Sequence, residues 1–193
     1  MSELLEITPA EARAEMLALI REVAYAEGDF TLASGKKSTY YIDGRLVTIH
    51  PRGAVLAGVL FFEEIRDILE QGGRLGITGL TMGADPIITA TAAVAALKGR
   101  ELYPFYCRKE PKGHGAGRQL EGFVEPVERC VVVEDTATTG ASALKAAAAA
   151  KAAGIAPVAV VLLVDREEGA REAVEAAGLE FRAVFTVGEL KGE

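Results

Sequence analysis

The sequence predicts an α/β fold, a parallel sheet flanked by helices, on three observations. Short apolar runs alternate with longer stretches of helical spacing. The runs Val131–Val133 and Pro157–Val164 show no polar alternation, as strands covered on both faces do. Two such runs pass through a glycine-containing turn directly into a helix, the repeating unit of a parallel sheet with right-handed crossovers. At 193 residues, half of them apolar, the chain is long enough for one well-buried domain and short for two. Residues 1–193 are therefore read as a single domain, with a helix and hairpin in 1–50 forming a hood over the core, 51–193.

Composition narrows the function classes. A net charge of −7 argues against general binding to nucleic acid or to an anionic membrane surface, so any anionic ligand must meet a local cationic patch. No apolar run is long enough to span a bilayer, and Met1-Ser2-Glu3 opens an acidic, amphipathic start unlike an export signal. A cytoplasmic protein is expected. Cys107 and Cys130 stand at strand-like positions without metal-ligand spacing and read as buried, reduced thiols.

In chain order, Thr8-Pro9 opens a helix to Ala26, with Met16, Leu17, Ile20 and Val23 on one face. Gly28–Leu32 and Tyr40–Asp43 read as two strands joined by a hairpin turn, Ala33–Ser38, that carries Lys36 and Lys37. Pro51 to Gly73 is an amphipathic helix closed by two glycines. Leu75–Thr78 is a strand, Gly79–Pro86 a glycine-rich turn and Ile87–Leu97 a helix, so main-chain amides there are able to approach a diphosphate. Glu101–Cys107 is strand-like. After the central motif, Pro157–Val164 reads as a central parallel strand ending in Asp165-Arg166, Gly169–Ala177 as a short helix and Phe181–Val187 as a last strand.

Two stretches carry chemistry. The first, Val131-Val132-Val133-Glu134-Asp135-Thr136-Ala137-Thr138-Thr139-Gly140-Ala141-Ser142, reads as buried strand, acidic pair, hydroxyl loop and helix start. A helix N-terminus at a strand's carboxyl end offers free N–H groups to an anion, and Thr136, Thr138, Thr139 and Ser142 add hydroxyls to that cradle. Glu134 and Asp135 would repel a phosphate placed on them; they suit the vicinal hydroxyls of a sugar, or a magnesium ion held partly through water. Helix capping alone needs neither two acids nor three threonines. The second stretch, residues 108–118, gathers Arg108, Lys109, Lys112, His114 and Arg118 among three glycines and a proline. In an acidic protein it predicts a mobile loop that clamps a diphosphate, with His114 as a ligand or proton donor.

The first stretch resembles the phosphoribosyl-diphosphate motif of type I phosphoribosyltransferases. Together with Gly28–Leu32, Ser34-Gly35-Lys36, Tyr40-Tyr41, the loop Arg108–Gly115 and Asp165-Arg166, the chain resembles the orotate phosphoribosyltransferase family over nearly its whole length. The resemblance implies the type I phosphoribosyltransferase fold and transfer of the phosphoribosyl group of 5-phosphoribosyl 1-diphosphate to orotate, a step of de novo pyrimidine biosynthesis. It implies Lys112, His114 and Asp135 as catalytic residues. Arg108, Lys109, Lys112 and His114 then meet the diphosphate, Glu134 and Asp135 the ribose, and Thr136, Ala137, Thr138, Thr139, Gly140, Ala141 and Ser142 the 5′-phosphate. Thr138 and Arg166 meet orotate, with Lys36 as a further candidate. It also implies magnesium as cofactor, bound through substrate and water, and a homodimer whose loop residues are shared across subunits.

Two positions depart from the pattern. Ala33 and Met82 stand where some members carry lysine, so either Lys36 or Lys37 replaces the first contact or that contact is absent. A phosphoribosyltransferase for another base, or a regulator that senses phosphoribosyl diphosphate without turning it over, remains an alternative at this point.

Overall fold

The computed structural model describes residues 7–31, 37–110 and 119–192. Its core is a six-stranded sheet in the order β5-β4-β3-β6-β7-β8, built from β3 (Leu75–Thr78), β4 (Tyr103–Cys107), β5 (Leu120–Gly122), β6 (Arg129–Ala137), β7 (Ala156–Asp165) and β8 (Glu180–Thr186). All pairs are parallel except β4 with β5. A separate antiparallel pair, β1 (Tyr25–Thr31) and β2 (Lys37–Ile42), forms the hairpin.

The unbroken apolar runs are explained by the layers. In β6, Val131 and Val133 face a core made with α1 (Pro9–Leu19), α3 (Pro51–Glu70) and α4 (Asp85–Leu97). Cys130 and Val132 face a second core made with α5 (Ala141–Ala152) and α6 (Ala170–Ala176). Successive residues of β7 divide the same way, Val161 and Leu163 against Val160 and Leu162. Alternate side chains point to opposite faces, so a strand buried on both sides has no place for a polar residue. Both cysteines are buried free thiols, and burial pushes the Cys130 thiol up to about 12.

Local signals account for the helix starts. Thr8 and Glu11 form a reciprocal capping box at α1. At α3 the cap is His50, whose Nδ1 accepts from the amides of Arg52 and Gly53 at 3.2 and 3.3 Å.

Several boundaries differ from the sequence reading. The first helix keeps α-geometry only to Leu19 and finishes in a wider turn, Ile20–Ala24, because the chain is already β-paired from Tyr25. Three short elements were not anticipated: α2 (Gly44–Thr48), β5 and α7 (Val187–Lys191). The last displaces the end of the final strand, since Thr186 and Glu189 form a capping box that starts a helix at Val187. Lys37 lies in β2 and not at a turn tip.

The difference of most consequence is in β6, which continues through Glu134, Asp135, Thr136 and Ala137. Thr136 and Ala137 still pair with Val164 and Asp165 of β7, so the loop before α5 shrinks to Thr138–Gly140 and the acids project from a strand. The chain leaves β3 toward β4 on one side, and leaves β6 toward β7 on the other. That reversal opens a crevice at the carboxyl ends of β3 and β6, where ligands of such sheets bind.

Candidate active site

Two adjoining cavities fill the crevice. The larger, about 570 Å³, is walled by Arg45, the turn Leu80–Gly83, Arg108, Lys109, Glu110, Glu134, Asp135 and Ser142. The smaller, about 180 Å³, is walled by Glu134, Thr136 through Ser142, and Arg166. Glu134 and Ser142 line both, so the cavities are neighbours across one acidic side chain. A cavity of about 670 Å³ elsewhere, between the ends of α5 and α6, is walled by residues such as Leu144, Ile155 and Leu179 and has no carboxylate in its lining. Its lining offers little to a sugar phosphate.

The smaller cavity is a compact anion seat. Gly140 takes the left-handed conformation, φ 70°, at the N-terminal end of α5, which lets the chain turn from strand into helix within three residues. The free amides of the first helical turn and the hydroxyls of Thr138, Thr139 and Ser142 then surround one small volume.

Glu134 stands between the cavities, and Asp135 beside it faces the larger one. Burial, followed by the neighbouring Asp135, pushes the Glu134 carboxyl up to about 7, which the Ser142 hydroxyl and Ala143 amide offset only in part. Its Oε2 is buried without a hydrogen-bond partner among the described residues. Burial also raises Asp135, although the Thr136 amide donates to its Oδ1 at 2.9 Å. A buried carboxylate oxygen with no partner is costly and calls for a donor or a cation from outside. Ribose hydroxyls and magnesium both meet that need: the donor set is hard oxygen, as magnesium requires. Among the described residues no group of three or more His, Cys, Asp or Glu stands together to hold a metal by protein ligands alone.

The seat of Asp135 is shaped by two glycines. A Cβ on Gly83 would lie 2.7 Å from Asp135 Oδ1, and one on Gly44 would lie 2.9 Å from Asp135 Cβ. The β3–α4 turn and α2 therefore close on the carboxylate from two sides.

Arg166 sits at the far wall of the smaller cavity, buried, with its guanidinium over the Tyr40 ring and its Nε donating to Glu168 at 3.1 Å. Asp165 makes a different contact: its Oδ1 accepts from the Glu167 amide at 2.9 Å and closes the turn. The acid that pairs with Arg166 is thus Glu168, two residues further on.

The structure brings Glu134, Asp135, Thr136, Ala137, Thr138, Thr139, Gly140, Ala141, Ser142 and Arg166 to one rim, with Arg108 and Lys109 on the larger cavity. Arg108 also donates to Glu121 at 2.9 Å. Lys36, Lys112 and His114 lie outside the described residues. Sequence reasoning missed Arg45, Lys145, which bonds Glu110 at 2.9 Å, and the pairing of Tyr40 with Arg166. For Arg45 a signal existed: Asp43-Gly44-Arg45 has the acid of a helix cap two residues before a cation.

No protein-family model matches the chain. It is 42% identical over 183 residues to the orotate phosphoribosyltransferase of Synechocystis sp., covering 94% of this chain and 90% of that protein. Among solved structures it resembles Mycobacterium tuberculosis orotate phosphoribosyltransferase in complex with Fe(III) dicitrate, with TM-score 0.77 and 40% identity over 93% of this chain and 98% of that one. The same enzyme in complex with 5-phospho-α-D-ribosyl 1-diphosphate matches with TM-score 0.73 and 36% identity, over 93% and 99%. With that identity across nearly the full length of both sequences, and a crevice whose acids, hydroxyls and cations suit a sugar phosphate, the chain belongs to the orotate phosphoribosyltransferase family.

Proposed function

We infer that this chain carries out the family's reaction in the paired cavities: orotate N1 joins the anomeric carbon of 5-phosphoribosyl 1-diphosphate, diphosphate leaves, and the carbon is inverted. The observation that carries this reading is the shared wall, Glu134 with Ser142, between an anion seat and a larger cavity lined by Arg108 and Lys109. A ligand with phosphate at one end, ribose in the middle and diphosphate at the other matches that order.

Each residue then has a role. Amides and hydroxyls from Thr136 to Ser142 hold the 5′-phosphate. Glu134 and Asp135 accept from the ribose hydroxyls, which supplies the partner that Glu134 Oε2 lacks. Arg166, with Thr138, meets orotate; its planar fork matches a carboxylate. As the bond to diphosphate breaks, positive charge develops on the ribose beside two carboxylates, and Arg108, Lys109, Lys112 and His114 take up negative charge on the leaving group. Magnesium, bound through substrate and water, would neutralise diphosphate charge when present.

Assembly and location belong to the same reading. Leu46 on α2, Ile49 just after it and Met82 in the β3–α4 turn, which lines the larger cavity, are 50%, 64% and 69% exposed, a cost that a second copy would remove. The active form is a homodimer in which residues of the 108–118 loop serve the neighbouring site. Two buried free thiols suit the reducing cytoplasm.

One assay tests the assignment. The protein is mixed with phosphoribosyl diphosphate, magnesium and each base in turn. Loss of orotate absorbance with no turnover of purines or uracil is the expected outcome, and turnover of another base in its place rejects it. Lys112→Ala is expected to cut kcat severely, and near-normal turnover would remove Lys112 from the mechanism. Sedimentation velocity decides the dimer.

A further inference from the structure

We propose that Arg45 is a binding residue for the diphosphate of the phosphoribosyl donor, held over the cleft by Asp43. This rests on the reaction assigned above and adds a cation from outside the loop, the phosphate seat and the Arg166 wall.

The position of Arg45 follows from packing around Asp135. Gly44 approaches that side chain so closely that a Cβ there would lie 2.9 Å from Asp135 Cβ and 3.0 Å from its Oδ2, which fixes α2 against the rim of β6. The next residue is therefore set at the mouth of the larger cavity, whose lining it shares with Asp135, Arg108 and Lys109. One carboxylate then orients it. Asp43 accepts from the Arg45 amide at 3.2 Å, from Nε at 3.1 Å and from Nη2 at 3.1 Å. Guanidinium carries five N–H donors, and this pairing uses two of them. The remaining three, including both on Nη1, meet no acceptor among the described residues, and the side chain is half exposed.

Charge counting shows what the residue does there. Among the lining residues the cations are Arg45, Arg108 and Lys109, and the acids are Glu110, Glu134 and Asp135, three against three. Three of these charges have a partner outside the lining, Arg108 with Glu121, Arg45 with Asp43 and Glu110 with Lys145. Without Arg45 the cavity has two cations against three acids, an unfavourable place for a polyanion. The opposite turn, Leu80–Gly83, contributes Thr81 and an exposed Met82 but no cation. Arg45 also acts on Asp135 through space, but burial, with Asp43 adding to it, still raises that carboxyl. A purely structural partner of Asp43 would have no reason to face a cavity that must accept a diphosphate.

The test is calorimetric titration of the full-length protein with inorganic diphosphate and, separately, with ribose 5-phosphate. Arg45→Ala is expected to weaken diphosphate binding by about tenfold or more while ribose 5-phosphate stays within about twofold. Arg45→Lys, which keeps the charge and loses the fork, is expected to fall between the two. Unchanged diphosphate affinity in Arg45→Ala, or equal weakening of both probes, overturns the proposal. A wild type that binds diphosphate through Arg45 yet transfers nothing to orotate would uphold this site and reject the reaction assigned above.

Discussion

The guanidinium carbon of Arg166 lies 4.6 Å from the centre of the Tyr40 ring, which ties the end of β7 to the hairpin 126 positions earlier in the chain. Nη2 of the same arginine reaches Ser38 at 3.5 Å, and the Tyr40 hydroxyl donates to Glu168 at 3.4 Å. The hairpin therefore does more than overhang the sheet, since its buried tyrosine forms one side of the arginine's seat. Desolvated contacts of this kind contribute on the order of 1–2 kcal/mol.

Replacing that arginine should separate the two substrates. In Arg166→Ala the KM for orotate is expected to rise by about tenfold or more, with the KM for phosphoribosyl diphosphate changed by less than about threefold. Tyr40→Leu, which keeps the volume apolar but removes the ring face, should reproduce a smaller part of the orotate effect. Equal rises for both substrates in steady-state kinetics would reject the assignment.

Glu134 makes stability depend on pH in a direction opposite to that of an ordinary paired carboxylate. Its folded value, about 7, is above that of an unfolded glutamate. Between those two values the folded state holds the extra proton, so stability falls as pH rises through that window and is level above it. The contribution is on the order of 3 kcal/mol between about pH 4.5 and 7. Urea denaturation at pH 5 and pH 8 should show Glu134→Gln losing less stability than the parent over this interval. Parallel losses in the two proteins would show that Glu134 titrates normally.

Gly83→Ala should impair activity with little effect on folding. The added methyl meets Asp135 Oδ1 at 2.7 Å, and the carboxylate is able to rotate aside more easily than the main chain can shift. A fall in kcat/KM of about tenfold or more, with an unfolding free energy within about 1 kcal/mol of the parent, is expected. Wild-type kinetics would mean that the orientation of Asp135 is immaterial.

Both thiols should resist modification in the native protein. Burial raises Cys107, and burial followed by the nearby Cys107 takes Cys130 to about 12, so neither is a thiolate at neutral pH. Reaction with a thiol-specific disulfide reagent at pH 8 should be negligible until denaturant is added. Rapid stoichiometric labelling of the folded protein would place at least one cysteine at the surface.

The parts of the site that were legible in advance are those carried by consecutive residues. Three buried valines, two acids, three threonines and a glycine specify a strand end and a turn into a helix, and the structure places Glu134 and Thr136 through Ser142 around one small cavity. The error there was in length. Strand pairing with β7 continues to Ala137, because Val164 and Asp165 remain available as partners, and no local propensity reports that. Arg166 was legible as a cation at a strand's end, yet its partner was not, since Glu168 lies across a turn closed by Asp165.

The sequence by itself determined the layered α/β fold, the order of its main elements, the threonine-rich turn that opens α5 and the family, because those depend on periodicity and on short runs whose chemistry is local. Tertiary structure decided which distant groups share a wall: Gly44 and Gly83 against Asp135, Tyr40 against Arg166, and Arg45 in the lining of the larger cavity. The physical reason is that such contacts follow from sheet order and helix placement, which are set by burial over the whole chain and not by the residues beside them.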